Sequence, residues 1–197
     1  MTKAPRTRMS VDARREQMLD VGIVLLAGTP LEEISIDDIV AKAEISRALF
    51  YHYFESKSQY FRQAVERASN AISDATRPDP EAPPGDQLKY AIDGYLDFVT
   101  DHSLQYRAIY RSLQTGDPAI RQILVDSQSE KEEQILAVLG EQIEISELVR
   151  LAVHGWIAFL IANCLRWLDT GEPERDQLRD MCTETLFAAV AAAVKQG

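Results

Sequence analysis

The feature that most constrains this chain is the stretch from Ser35 to Lys57, which reads SIDDIVAKAEISRALFYHYFESK. Apolar residues recur at i, i+3, i+4 and i+7 in its first half, which is the pattern of a packed helix face. Ser35, with Asp38 three residues later, is placed to cap this helix, and Ser46 is placed to cap a second one. The stretch therefore predicts two short helices joined by a tight turn.

Two sets of side chains face opposite ways along the second helix. The apolar set, which suits a protein core, is Leu49, Phe50 and Tyr53. The polar set is Arg47, Ala48, Tyr51 and His52. Hydrogen-bond donors can contact base edges and phosphates in a major groove, and a small residue beside them lets the helix approach closely. The pattern favours a DNA-reading helix, although a helical hairpin without a nucleic-acid partner has the same outline.

The order of residues after the turn is more specific. From Ala43 to Lys57 it runs A-x-I-S-x-x-x-F-Y-x-Y-F-x-S-K. This order closely resembles the signature of the TetR family of transcriptional regulators, and the likeness extends over about Arg14 to Arg62. The resemblance implies an all-α protein of about nine helices. It implies an N-terminal three-helix helix-turn-helix DNA-binding domain followed by a larger helical ligand-binding and dimerisation domain.

The resemblance also implies a set of DNA contacts. These are Ser35, Ser46, Arg47, Ala48, Tyr51, His52 and Lys57, the last as a phosphate contact at the start of a helix. Two residues depart from the family pattern, since Glu44 stands where the turn generally has glycine and Ala48 stands near another frequent glycine. A left-handed conformation at Glu44 would cost about 1–2 kcal/mol.

The distribution of charge reconciles a net charge of −10 with DNA binding. Residues 1–62 carry nine basic and nine acidic side chains, whereas residues 63–197 carry 12 basic and 22 acidic ones. Because screening limits electrostatic attraction to about 8–10 Å in physiological salt, the acidic remainder need not repel DNA from a distant reading head.

Three segments are expected along the chain. Residues 1–9 form a flexible basic arm, which is either a plain terminus or a minor-groove contact. Residues 10–62 form the helix-turn-helix domain, and residues 63–197 form the ligand-binding and dimerisation domain. The apolar run Trp156–Ala162 is too short to span a bilayer, and the N-terminus lacks an apolar signal region. We therefore expect a cytoplasmic protein without a membrane partner.

The two last predicted helices indicate a homodimer. Helix 146–170 is apolar over most of its circumference, which requires either a deep core or a second subunit. The resemblance implies a four-helix dimer bundle, and the expected interface residues are Leu151, Ile161, Leu165, Leu178, Cys182, Leu186 and Ala189. Two-fold symmetry would place two reading helices about 34–36 Å apart on a palindromic operator, or a multiple of that distance. A monomeric core remains the alternative.

Aromatic residues in the middle helices predict a small-molecule site. The expected lining residues are Phe98, Tyr106, Tyr110, Trp156 and Phe159, and an apolar or aromatic effector would suit them. Aromatic residues at helical spacing also occur in ordinary cores, so this alternative stays open.

The sequence offers no catalytic constellation. The three histidines lie on separate predicted helices without Cys or Glu at metal-ligand spacing, so we expect neither a metal nor a cofactor. Cys164 and Cys182 are expected to be reduced, buried thiols. The resemblance to the TetR family thus implies a ligand-responsive regulator that binds double-stranded DNA and is not an enzyme, with repression expected and activation as the other possibility. The alternative is a helical adaptor that binds another protein.

Overall fold

The computed structural model describes residues 10–77, 84–112 and 117–196, and these residues form nine α-helices without a strand. In chain order the helices are α1 (Val11–Gly28), α2 (Ile36–Lys42), α3 (Arg47–Tyr53), α4 (Lys57–Ala75), α5 (Pro84–Asp101), α6 (Ser103–Ser112), α7 (Pro118–Gly140), α8 (Glu147–Thr170) and α9 (Arg175–Val194). The all-α prediction is confirmed. The basic arm at residues 1–9 lies outside the described residues.

Side-chain caps fix where several of these helices begin. Serine hydroxyls accept a hydrogen bond from a backbone N–H in the first turn at Ser10, Ser35, Ser46, Ser56 and Ser146. Asp38 completes a capping box at Ser35, since its carboxylate accepts from the Ser35 N–H at 2.8 Å. At the other end, Gly171 adopts a left-handed φ of 70° and terminates α8. These local signals are why the sequence alone locates most helix starts.

The first four helices share an aromatic core. Phe50 on α3 packs against Phe54 and against Tyr60 on α4, with ring centroids 5.6 and 5.4 Å apart. The Tyr60 hydroxyl donates to the Met18 carbonyl of α1 at 2.6 Å. Burial raises the pKa of Tyr60, so this hydroxyl remains a neutral donor. The core therefore fixes α3 against α1 and α4.

The remaining helices continue this core without a break. Helix α6 lies along α1, α4 lies along α7, and α8 packs on α9. One cluster of buried apolar side chains runs from Met18 to Ala193. Because α4 and α6 both pack against α1, movement of either helix would displace the helices of the helix-turn-helix domain.

Helix α5 approaches the end of α4 so closely that glycine is required. A Cβ atom added at Gly94 would lie 2.4 Å from the Ala75 carbonyl oxygen, which is far inside van der Waals contact. The end of α4 is thus held directly against the middle of α5.

Helix α8 is long and apolar enough to cross a bilayer, with a mean hydropathy of 1.7 over its best window. Length and composition alone do not distinguish a membrane span from a helix covered by other parts of a protein. Here α8 packs against α5, α7 and α9, and Val149, Val153 and Cys164 are fully buried between helices. Its apolar character follows from this packing together with the exposed face described below.

Both cysteines are free thiols inside the core. Burial raises the pKa of Cys164 to about 12 and that of Cys182 to about 11. Because the thiolate is the reactive form, both groups are poor nucleophiles at neutral pH.

Candidate nucleic-acid interface and ligand cavity

The two faces of α3 separate as its periodicity predicts. Phe50 is completely buried, whereas Tyr51 is 51% exposed. Arg47, Ala48 and His52 are also exposed. The structure therefore brings these four polar-face residues together on one open surface, which we call the α3 polar face (Arg47, Ala48, Tyr51 and His52).

Arg47 is oriented by a carboxylate on the preceding helix. Its Nη1 donates to both oxygens of Asp37, at 2.9 and 3.1 Å. Both side chains are more than half exposed, and exposed ion pairs of this kind contribute only about 0.2–1 kcal/mol. The guanidinium can therefore exchange Asp37 for a base edge or a phosphate at small cost.

The other three predicted DNA contacts have roles within the protein itself. The hydroxyls of Ser35 and Ser46 cap α2 and α3. Lys57 donates through Nζ to the carbonyls of Leu31 and Ile34, at 3.1 and 2.8 Å. It thereby ties the segment before α2 to the start of α4. Its ammonium has three donors, so one of them remains for a phosphate.

The turn between α2 and α3 contains the departure from the family pattern. Glu44 adopts a φ of 54°, which is the left-handed region expected from the glycine that usually stands there. Its side chain is exposed. Glu44 therefore carries backbone strain and a negative charge beside the α3 polar face.

Replacing Glu44 with glycine is expected to stabilise the protein by about 1 kcal/mol, because glycine adopts this conformation without strain. Urea denaturation of Glu44→Gly and of the matched Glu66→Gly, which lies in the middle of α4, would measure the effect. Glu66→Gly is expected to lose about 1 kcal/mol, since glycine is unfavourable inside a helix. A loss of stability in both variants would show that the turn stores no strain.

A cavity of about 630 Å³ lies among the helices that follow α4. Its walls come from α5, α6, α7, α8 and α9, with most of the lining apolar. Sites for drug-sized ligands typically occupy about 300–1,000 Å³. The space is therefore large enough for a small organic molecule.

The structure places two of the five predicted pocket residues on this wall, Tyr110 and Trp156. Phe98 instead packs against His102, with ring centroids 4.7 Å apart, and Phe159 lies away from the cavity. Tyr106 is fully buried behind the wall, where its hydroxyl oxygen is 2.9 Å from that of Tyr95. Helical spacing identified the aromatic residues but not which side of each helix meets the open space.

Two lysines also line the cavity, and sequence reasoning predicted neither of them. Lys131 on α7 is partly buried, and its Nζ donates to Ser127 at 3.0 Å and to Ser73 at 3.3 Å. Burial lowers its pKa to about 8, opposed in part by the nearby charge of Glu130. Lys195, near the end of α9, is exposed.

Comparison with known proteins decides the family. Residues 18–64 match the model for "Bacterial regulatory proteins, tetR family", and residues 84–189 match "Tetracyclin repressor-like, C-terminal domain". The chain belongs to the TetR family. TetR-family regulators are DNA-binding transcription factors without enzymatic activity, so the chain is not an enzyme.

Individual relatives of this TetR-family chain agree over most of its length. The transcriptional regulator EthR of Mycobacterium tuberculosis is 37% identical over 93% of this chain and 79% of its own. The transcriptional activator FasR of Mycolicibacterium smegmatis is 21% identical over 84% of this chain and 77% of its own. A TetR-family regulator from Streptomyces coelicolor superposes with a TM-score of 0.80 at 29% identity, covering 96% of this chain and 85% of its own.

The predicted dimer residues of this TetR-family chain fall into two groups. Leu178, Cys182 and Leu186 are buried in the core of the protomer, so their side chains cannot meet a partner and that part of the prediction is corrected. Leu151 is 65% exposed, while Ile161, Leu165 and Ala189 are partly buried. Sequence reasoning took the apolar stripe of α9 for an outer surface, but packing against α8 and α5 uses that stripe.

Leu151 belongs to an open apolar surface along α8, whose other members were not predicted. We define the α8 outer face as Leu148, Leu151, Gly155, Ala158 and Ala162, all of which are exposed. Their spacing of three and four residues places them in one line. Exposed Met181 and Ala188 lie on the neighbouring helix α9.

Metal chemistry finds no support in the part of the chain that the structure describes. No group of three or more His, Cys, Asp or Glu side chains there is arranged to hold a metal ion. His154 instead lies 3.0 Å from a carboxylate oxygen of Glu132 on the surface.

Proposed function

We propose that this chain is a homodimeric repressor that binds a palindromic operator and is released from it by a small apolar or aromatic effector. Residues 10–62 would read the DNA, and residues 63–197 would bind the effector and the second subunit. The observation that carries the proposal is the exposed α3 polar face, whose donors have no structural task that a packed core would require. A cytoplasmic location is part of the same proposal.

The α8 outer face supports the dimer. Small residues at its centre, Gly155 and Ala158, permit a second helix to approach closely, and Leu148 and Leu151 supply apolar area at one end. Contiguous exposed apolar residues of this kind mark interaction surfaces in soluble proteins. Two-fold pairing through α8 and α9 would leave both α3 polar faces free.

The cavity supports control by an effector. It adjoins α5, which presses on the end of α4, and α4 begins beside the reading helix. An effector that prefers one arrangement of α4 would change DNA affinity by its coupling free energy, typically about 1–3 kcal/mol, or about 5–150-fold. We propose repression because the family model that matches residues 84–189 is described as repressor-like, although FasR is by name an activator.

Replacing Arg47 with alanine is expected to reduce preference for the operator by about 5–150-fold, the effect of losing one good base contact of about 1–3 kcal/mol. The operator would be obtained by selection from random duplexes, and affinity measured by fluorescence anisotropy at several salt concentrations. Arg77→Ala is the matched control, because Arg77 also forms an exposed ion pair, with Asp74, but lies at the far end of α4.

Two outcomes would contradict this proposal. If Arg47→Ala kept full preference for the operator, base readout would not involve Arg47. If the unmodified protein bound no duplex specifically at any salt concentration, the adaptor alternative would replace the regulator.

A further inference from the structure

Lys131 is a partly buried cation on the cavity wall. It lies on the wall beside Gln128, Gln134 and many apolar groups. Its ammonium donates to two serine hydroxyls and forms no direct ion pair within the described residues, although the charge of Glu130 is near enough to favour its protonated form. Lysine is among the residue types least often buried without a partner. The position therefore leaves room for a direct ion pair between Lys131 and an anion that enters the cavity.

The surroundings of Lys131 disfavour its charged form. Burial lowers the pKa of Lys131 to about 8, so the protein opposes the charged form. At pH 7 the group is nevertheless mainly an ammonium, since that pH is below its pKa. Methionine or leucine would fill the same space without this penalty.

We propose that the cavity takes an amphipathic organic acid, whose carboxylate pairs with the ammonium of Lys131 while its apolar body lies against Trp156 and Leu160. This inference rests on the proposed effector cavity and names the chemical class of the effector. A hydrogen bond between two charged groups is shorter and stronger than one between neutral groups, and it is strongest away from water. The serine hydroxyls of Ser73 and Ser127 are placed beside the same nitrogen.

The position of Ser73 gives the acid a route to the reading head. Ser73 lies in the last turn of α4, and the Lys131 hydrogen bond joins it to α7 at 3.3 Å. A carboxylate that accepts from the third donor of the ammonium draws the nitrogen toward the cavity, and this movement loosens the link between α7 and α4. Since α4 begins at Lys57 beside α3, the anion acts on the helix that carries the DNA-reading unit.

A pair of isosteric probes tests the inference, 4-hexylbenzoic acid and 4-hexylbenzamide. They have the same shape, but only the acid is charged at pH 7. We expect the unmodified protein to bind the acid about 10- to 100-fold more tightly than the amide, the range for a hydrogen bond to a charged group. Titration calorimetry would give both affinities, and a change in the combined fluorescence of Trp156 and Trp167 would support it, since Trp156 lies on the cavity wall.

Two lysine variants locate the effect. Lys131→Met keeps the length of the side chain and removes its charge, so the acid and the amide are expected to bind equally. Lys195→Met removes the other cavity lysine and is expected to retain the preference for the acid. Thermal unfolding followed by circular dichroism would verify that both variants are folded. The acid is expected to weaken operator binding by the unmodified protein and not by Lys131→Met.

The outcomes separate this inference from the function on which it rests. Equal binding of acid and amide by the unmodified protein would overturn the acid inference and leave an effector cavity for neutral molecules. If Lys131→Met kept the preference for the acid, the acid inference would also be overturned, because a group other than Lys131 would then bind the carboxylate. Binding of neither compound, for alkyl chains from butyl to decyl, would overturn both the inference and the proposed effector cavity.

Discussion

Replacing Phe50 with alanine is expected to lower the free energy of unfolding by about 3–5 kcal/mol and to abolish DNA binding. Phe50 is completely buried and its ring contacts those of Phe54 and Tyr60. Its removal leaves a cavity at the point where α3 is fixed to α4. A DNA-binding domain that loses this much stability would not keep α3 in the position that DNA binding requires. Urea denaturation and operator binding would be measured on the same preparation.

The neighbouring residue provides the matched control. Tyr51 follows Phe50 directly but points to solvent, and exposed substitutions usually change stability by less than about 0.5 kcal/mol. Tyr51→Ala is therefore expected to remain as stable as the unmodified protein while binding DNA less tightly. If Tyr51→Ala unfolded as readily as Phe50→Ala, or bound the operator with undiminished affinity, the assignment of the α3 polar face to DNA would be wrong.

Local chemistry explains what could be predicted from the sequence. A serine cap, an apolar stripe and a proline or glycine break each act within one or two helical turns, so they can be read without knowing the fold. The helix expected at residues 146–170 is α8, Glu147–Thr170, with Ser146 as its cap. The resemblance to the TetR family added the order of the helices, and the glycine that usually stands at position 44 anticipated the left-handed turn.

The parts that could not be predicted depend on which neighbour covers each face. Lys57 has the position of a phosphate contact, but its ammonium also holds two carbonyls of the preceding segment, a contact between residues more than 20 positions apart. The stripe containing Leu178 and Leu186 looked like an interface, yet it is covered by helices of the same chain. Lys131 gave no signal, because a lysine on an amphipathic helix is normally solvated.

The same limit applies to the boundary between head and body. The expected boundary at residue 62 follows from the resemblance to the family, and it lies inside the continuous helix α4. The Arg67 side chain of α4 reaches back to α1, where it pairs with Glu16 at 2.8 Å and also with Asp20. Helix α4 thus belongs to the core of the head and to the core of the body. This sharing is what would let an event in the cavity reach DNA.

Replacing Trp156 with alanine is expected to cost about 3–5 kcal/mol of unfolding free energy, because the indole is large and almost fully buried. Trp156 is on α8, and its Nε1 donates to the Cys182 carbonyl of α9 at 2.8 Å. The substitution would break this link and enlarge the ligand cavity on the same side. Urea denaturation would measure the loss. The matched Trp156→Phe variant would separate the part due to the indole hydrogen bond from the part due to the buried ring.

Trp156→Phe keeps most of the apolar volume and removes only the indole donor. The Cys182 carbonyl lies within α9 and retains its helical hydrogen bond, so the cost of this change should be about 0.5–1.5 kcal/mol. The difference between the two variants would then measure packing at the cavity wall. Equal losses in both would mean that the hydrogen bond, and not the buried ring, holds α8 to α9. A loss of only about 1 kcal/mol in Trp156→Ala would mean that the ring is dispensable to the core and available to a ligand.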